Sequence, residues 1–404
     1  MQLRRIGIAI ALLTVFAVDV WHVHDFLATP SLNDFGQFYA SAQSFLRGGS
    51  LYQPTGSLEE ATRPVVAANL NPPHWHALIL PIARWCPLAV AGSVWVALSA
   101  LGAATAFWVV ARELKLKPAQ LALLLLGAGI FGGTGAAIFN GQVAFVVAVP
   151  MVLAWRAARH EKDIAAGAWL GLCVTLKPFL LVFAPYYCLR RNWRLLGSAS
   201  VAVVAILGLG ILVFGASSYQ EWLSTLARVH WTASPLNASL RGLLQRWFVA
   251  GNPYTLPLMA APAVVLPLWA VSTSVVGLVA FRVLFRSVDT DLVFSLLIVT
   301  ALLISPLGWV YYLWLGVGPL TVVLRRLCSA RDWRFEMTFV AMIGLLWFPR
   351  ALVLETPGIL GTLIPGSVYG LGLLCLWGAL VLDASNRVPL DAGARASAPR
   401  DARR

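Results

Sequence analysis

Apolar residues recur along this chain in blocks of roughly 15–25, the length at which a helix crosses a hydrocarbon core of about 30 Å, and short polar stretches separate the blocks. The pattern predicts membrane segments at about 5–28, 119–139, 142–157, 195–215, 255–281, 288–304, 308–324, 335–350 and 366–382. The stretch 74–111 reads as a short piece ending near Pro87 followed by a full span from about 88. Residues 164–189 are too few for two full spans at about 1.5 Å per residue. The Lys177-Pro178 pair divides them into half-length helices whose tip lies in the membrane or near its outer face, a break tolerated where freed backbone faces protein or water. The expected fold is all-α and polytopic, with about 11–12 membrane segments including the broken pair and both termini cytoplasmic. Residues 1–383 form one membrane domain in this reading, and the polar tail 384–404 is too poor in apolar residues to order itself.

Composition agrees: 59% of the 404 residues are apolar and 12% charged, against about 25% charged in soluble domains. Residues 1–28 imitate a signal peptide but show no clear cleavage site, so they read as a retained first helix. The net charge of +13 raises the question of nucleic acid, and the placement of the charges answers it. Lys and Arg gather at Arg4/Arg5, Arg112/Lys115/Lys117, Arg156/Arg159/Lys162, Arg190/Arg191/Arg194, Arg282/Arg286, Arg325/Arg326/Arg331/Arg334 and from Arg387 on. Short basic clusters between apolar blocks are the positive-inside pattern, so no nucleic-acid partner is expected, and the expected location is the inner (plasma) membrane. The longer loops 29–73, 216–253, 305–309 and 351–365 then fall outside. The five cysteines form no CxxC pair and His74 and His76 lack a paired carboxylate, so neither a metal nor another cofactor is expected. Neither GxxxxGK[ST] nor a strand-linked GxGxxG occurs, which disfavours nucleotide-driven chemistry.

The first external loop carries the most chemistry. A helix is expected from about 34 to 46, capped by Asn33 or Ser31 and closed by Gly48-Gly49, with Phe35, Phe38, Phe45 and Leu46 in the membrane interface. Asp34 at its start fits helix-cap electrostatics as well as catalysis. Lys177 is a charge at a break between apolar halves, either functional or snorkelling to an interface. Asp19, His22 and His24 in the first span line a polar face or a proton path. Asn140 and Gln142 cap helices or hydrogen-bond a ligand. Trp309, Tyr311 and Tyr312 form an interfacial belt or a binding surface.

Taken in order, Asp34…Tyr39-Ala40…Gly49-x-x-Tyr52, Asn71-Pro72-Pro73, Pro81, Trp95, Asn140-Gly141-Gln142, Ala166-Gly167…Lys177-Pro178…Arg190-Arg191-Asn192-Trp193-Arg194, Asn237-Ala238-Ser239-Leu240-Arg241-Gly242…Arg246 and Ser305-Pro306…Trp309 resemble glycosyltransferase family 87. The resemblance implies the GT-C architecture, a polyprenyl-phosphate-sugar donor and inverting transfer. It implies Asp34 as the general base; the residues expected to bind substrate are Tyr39, His74, Asn140, Gln142, Lys177, Asn237, Ser239, Arg241, Trp309 and Tyr312. Lys177, with Arg241 and Arg246, would meet the lipid phosphate. Members of that family often carry a histidine near the tryptophan at 309; Val310, Tyr311 and Tyr312 stand there instead, which departs from a histidine-assisted step. The expected activity is transfer of a hexose, mannose first among them, to a lipid-linked or cell-envelope acceptor on the external face. The partners are then the lipid-linked donor, a glycolipid or envelope-glycan acceptor and membrane lipid. The alternatives are a secondary transporter or lipid-sugar flippase, suggested by the broken helix with Lys177 and Asp19, and an idle envelope scaffold.

Overall fold

The computed structural model describes residues 2–28, 34–52, 69–229, 231–252, 254–330, 332–346 and 358–386. The expected cap at Asn33 or Ser31, the loop portions 53–68 and 351–357, Arg63, Arg331, Arg350 and the tail from 387 lie outside the described residues. The helices are α1 (Gln2–Ala28), α2 (Asp34–Leu46), α3 (Leu80–Trp85), α4 (Leu88–Glu113), α5 (Pro118–Ile130), α6 (Gly132–Phe139), α7 (Ala144–Arg159), α8 (Asp163–Leu176), α9 (Phe183–Leu189) and α10 (Trp193–Leu226). They continue with α11 (Leu240–Phe248), α12 (Val265–Phe285), α13 (Thr290–Ile304), α14 (Val317–Leu327), α15 (Trp333–Leu346), α16 (Ile359–Leu363) and α17 (Val368–Asn386). Short 3₁₀ turns occupy Pro73–Leu78, Pro178–Val182, Trp231–Ala233, Pro262–Val264 and Val310–Gly316.

The chain is a polytopic, all-helical membrane protein. Among the described residues, five helical stretches are long and apolar enough to cross a bilayer: Ile10–Ala28, Leu88–Glu113, Trp193–Leu226, Pro262–Phe285 and Ile359–Asn386. A sixth, if taken as one span, is the pair α5 and α6, bent by 60° at Phe131, over the stretch 119–139 that the sequence pattern suggested. Shorter apolar helices lie at Asp163–Leu176, Pro178–Leu189 and Thr290–Ile304. The centre is α13, buried at every position from Asp291 to Leu303, as expected of a helix that is apolar all round.

The hairpins α4–α5, α7–α8 and α9–α10 turn at basic clusters through Lys115, Glu161 and Arg191, each held in the left-handed region. Ion pairs join helix ends on this same side: Glu113 with Arg156, Arg159 and His160, and Arg326 with Asp289 and Asp383. The opposite ends leave the irregular segments that build the cavity described next. There α10 does not stop near 215 as the apolar block suggests; it bends at Gly215, φ +78, and continues to Leu226.

Candidate functional site

Asp34 opens α2, which has the bounds its sequence suggested. The close is a glycine cap: Gly48 takes a positive φ of 81°, its N–H donates to Phe45 O at 2.9 Å, and the Gly49 N–H donates to Ser44 O at 2.9 Å. Phe35 and Phe38 are buried rather than interfacial; Phe35 stacks on Trp95 and Phe38 meets Trp75 edge to face. This aromatic base roots α2 in the bundle and fixes where Asp34 stands. Beside it the turn at Asn140-Gly141-Gln142 comes very close. A Cβ at Gly141 would lie 2.6 Å from Phe26 and Phe35, its φ is +62°, and its carbonyl accepts from the Trp95 indole at 2.8 Å. Only glycine suits that position. The turn delivers Gln142, whose Nε2 donates to Asp34 Oδ2 and whose Oε1 accepts from the Tyr312 hydroxyl at 3.3 Å.

Lys177 lies where the sequence breaks α8. The proline that follows drives it to extended backbone, φ −139 and ψ 90. Its Nζ donates to Asn71 Oδ1 at 2.9 Å and sits 4.7 Å from the centre of the Tyr312 ring. Asp34, Gln142, Asn71, Lys177 and Tyr312 therefore meet on one wall of a cavity of ≈ 760 Å³, within the size range of small-molecule sites.

The facing wall comes from two loops stitched together. Asn237 is fully buried; its amide donates to Thr232 O at 2.8 Å and Pro306 O at 3.1 Å, and its Oδ1 accepts from Gly308 N at 2.9 Å and Ser239 N at 3.2 Å. Backbone bonds Ala238 N to Gly308 O and Val310 N to Leu236 O complete the splice. Arg246, also fully buried, donates to Ser234 O at 2.7 Å and Asn237 O at 3.1 Å, and burial pushes its pKa down to about 9. The clamp turns Trp231, Thr232, Trp309 and Tyr311 into the cavity, where Trp309 stacks on Tyr311 with the ring planes 10° apart. Arg241 completes this wall with its guanidinium 5.3 Å from the centre of the Trp269 ring. Trp222, from the bent end of α10, donates to Leu70 O at 3.0 Å and closes the cavity on a further side.

Of the residues singled out in the sequence, Asp34, Gln142, Lys177, Arg241, Trp309 and Tyr312 line this cavity together. The others support it from behind. Tyr39 donates to Cys86 O at 2.9 Å, Asn140 caps α6 by donating to Ala136 O at 2.8 Å, Asn237 is the splice, and Ser239 caps α11 by accepting from Gly242 N at 3.1 Å. His74 donates from Nε2 to Thr175 O and accepts from the Tyr219 hydroxyl at Nδ1, both at 3.0 Å, and burial lowers its pKa. His76 is wholly buried and its pKa falls to about 4 for the same reason. Its Nδ1 donates to Pro73 O at 3.1 Å and its Nε2 accepts from Asn69, which also donates to Ser41 at 2.9 Å. Two neutral histidines thus peg the loop that carries Asn71. Asn71 itself, Trp222, Trp231 and Trp269 were not among the residues the sequence proposed for binding. Asn71 stood in an Asn-Pro-Pro turn, the one local signal; the tryptophans gave none in a chain with 17. Among the described residues no group of three His, Cys, Asp or Glu is placed to hold a metal ion.

The arrangement can take up a hydroxyl proton at Asp34, hold negative charge near Lys177 and Arg241, and lay sugar faces on tryptophan. Comparison with known proteins gives the family. The model of glycosyltransferase family 87 matches residues 69–306, more than half of the chain; Asp34 lies upstream of the matched stretch. A polyprenol-phosphate-mannose-dependent alpha-(1-2)-phosphatidylinositol mannoside mannosyltransferase of Mycolicibacterium smegmatis (strain ATCC 700084 / mc(2)155) is 29% identical over 197 residues, 47% of this chain and 44% of that protein. The match thus spans less than half the length of the curated relative. No solved structure matches the chain.

Proposed function

Because the chain belongs to glycosyltransferase family 87, we propose that it transfers a hexose, mannose in our reading, from a polyprenyl-phosphate carrier to a hydroxyl of a glycolipid or cell-envelope glycan. The observation that carries this reading is the meeting of Asp34, Gln142, Lys177 and Tyr312 on one wall of a cavity whose other wall is aromatic. Asp34 takes the acceptor proton as the acceptor oxygen attacks the anomeric carbon. The bond from that carbon to the phosphate oxygen breaks on the opposite face, inverting the centre, and the polyprenyl phosphate departs with the electron pair. That group leaves as a stable anion, so no second carboxylic acid is required, and Lys177 and Arg241 supply the cations. Gln142 holds the Asp34 carboxylate in place between turns of the reaction. The donor class has support in the printed name of the bacterial relative. The basic hairpin turns gather at the helix ends opposite the cavity, which supports an active site facing the periplasm or exterior from the plasma membrane.

The test is sugar transfer from labelled polyprenyl-phosphate-mannose by purified protein in nanodiscs, wild type against Asp34→Asn. Loss of a general base predicts a fall in kcat of about 10²–10⁴ with donor binding kept. Equal rates would remove Asp34 from the chemistry while leaving the enzyme. Wild-type protein that consumed neither this donor nor a pentose carrier would move the transporter or flippase reading ahead. The observation on that side is Asp19, inside the first span with Oδ1 buried and without a hydrogen-bond partner among the described residues.

A further inference from the structure

A second cavity, ≈ 480 Å³, runs between α5, α14 and α15. The 310–316 segment stands between the two: Tyr311 and Tyr312 face the reaction cavity, whereas Leu313 and Trp314 face this groove. Its wall offers nothing to a polar ligand. Leu123, Leu124, Phe131, Leu320 and Leu345 dominate it. Its two hydroxyls, Thr321 and Thr338, each donate at 2.6 Å to a carbonyl of their own helix, Val317 O and Arg334 O. The Trp314 indole is engaged by Thr134 at 2.9 Å. No residue of α5 is fully buried, and Leu123 on its groove side is exposed. Polarity appears at one end alone, with Gln120 and Arg325. Arg326, the next residue, is paired with Asp289 and Asp383, whereas Arg325 is exposed and makes no ion pair with a described residue. Lys115 and Lys117 lie beside the same end, where α5 begins.

We propose that this groove is a phospholipid site, with one acyl chain lying along it and an anionic headgroup on Arg325. Gln120 to Phe131 measures about 16 Å at 1.5 Å per residue, about half of a 30 Å hydrocarbon core and so the depth of one leaflet. An apolar channel of that length ending in cations with no ion pair among the described residues matches a lipid chain with a phosphate at its head, and basic pockets between membrane helices are known to take such headgroups. The lipid would back the very segment that presents Tyr311 and Tyr312 to the reaction cavity. The inference stands apart from the transfer reaction, and its test requires no activity.

Full-length protein in mild detergent, stripped of lipid and titrated with dioleoyl-phosphatidylglycerol or dioleoyl-phosphatidylcholine, is read by native mass spectrometry. The wild type should retain one phosphatidylglycerol about fivefold more tightly than phosphatidylcholine, the worth of about 1 kcal/mol for one surface cation. Arg325→Gln should bind both lipids alike. Gly127 lines the groove and a Cβ there meets only open space, so Gly127→Phe fills the channel without touching the backbone. It should lose the retained lipid while keeping the lipid-free Tm. Equal binding of the two lipids by wild type, a preference that survives Arg325→Gln, or lipid retained by Gly127→Phe would each overturn the proposal. So would displacement of phosphatidylglycerol by a polyprenyl phosphate, which would assign the groove to the donor, or a dimer lost in Gly127→Phe, which would make it a self-association face.

Discussion

The two walls of the cavity that holds Asp34 and Lys177 are built by opposite means. On the Asp34 wall the functional groups bind one another: Gln142 holds Asp34, Tyr312 holds Gln142, and Lys177 rests between Asn71 and the Tyr312 ring. On the tryptophan wall the groups facing the cavity are stacked or open, and the bonds lie behind them in the Asn237–Arg246 clamp. A wall of mutually bonded polar groups is preorganised for developing charge. A wall of aromatic faces on a stitched frame suits sugar rings, which need area and position more than charge. Under the proposed function, the Asp34 wall would govern rate and the tryptophan wall substrate affinity.

That division can be broken in several places. After Asp34→Asn, the largest effect should come from Lys177→Met, which removes the cation and strands Asn71. Transfer rate in nanodiscs should fall by about 10²–10³ with KM little changed; a pure KM effect would contradict the assignment. Next is acid. Folded His76 has a pKa near 4 against an ordinary 6.5, so below about pH 6.5 the unfolded chain binds protons that the folded one refuses. Stability should be flat above pH 7 and fall by on the order of 3 kcal/mol by pH 4, with His74 adding in the same direction. Melting curves in detergent across that range, flatter for His76→Gln, check it. Asn237→Ala should then cost about 2 kcal/mol by orphaning buried backbone groups, lowering Tm and raising KM together, since it loosens the frame of the aromatic wall. The smallest effect is expected from Trp309→Ala: a KM for donor or acceptor about tenfold higher, about 1.4 kcal/mol of lost contact, with kcat kept. A kcat loss there instead would mean that the aromatic wall takes part in the chemistry.

Local grammar made much of this legible in advance. Helix α2 has the bounds its glycine cap suggested, α8 breaks at Lys177-Pro178, and the turn at Asn140-Gly141-Gln142 lies at a helix junction. Each is decided by neighbours in the chain. The bend at Phe131 and the extension of α10 past Gly215 were not visible, because Gly132-Gly133 and Gly215 read equally well inside an apolar helix. The pairing of Lys177 with Asn71 joins residues 106 positions apart, and no local pattern specifies a partner at that distance. Asn237 and Tyr39 show the converse: a motif flagged them, and they serve the site by holding backbone that others depend on.

Helix α10 is longer than a bilayer is thick. Its straight part, 193–214, measures about 33 Å at 1.5 Å per residue, against about 30 Å of hydrocarbon. The bend at Gly215 thus comes after about one hydrocarbon thickness of straight helix, and the remaining turns lean over the cavity with Tyr219 bonded to His74, Glu221 to Ser50 and Trp222 to Leu70. The residue count before a single glycine thus works as a depth gauge. Under the proposed function it would moor the cavity near the water line, where the phosphate of a membrane-held carrier and a hydroxyl from the watery side could meet. Adding or removing one helical turn ahead of Gly215 would raise or sink that mooring by about 5.4 Å without altering any group that lines the cavity.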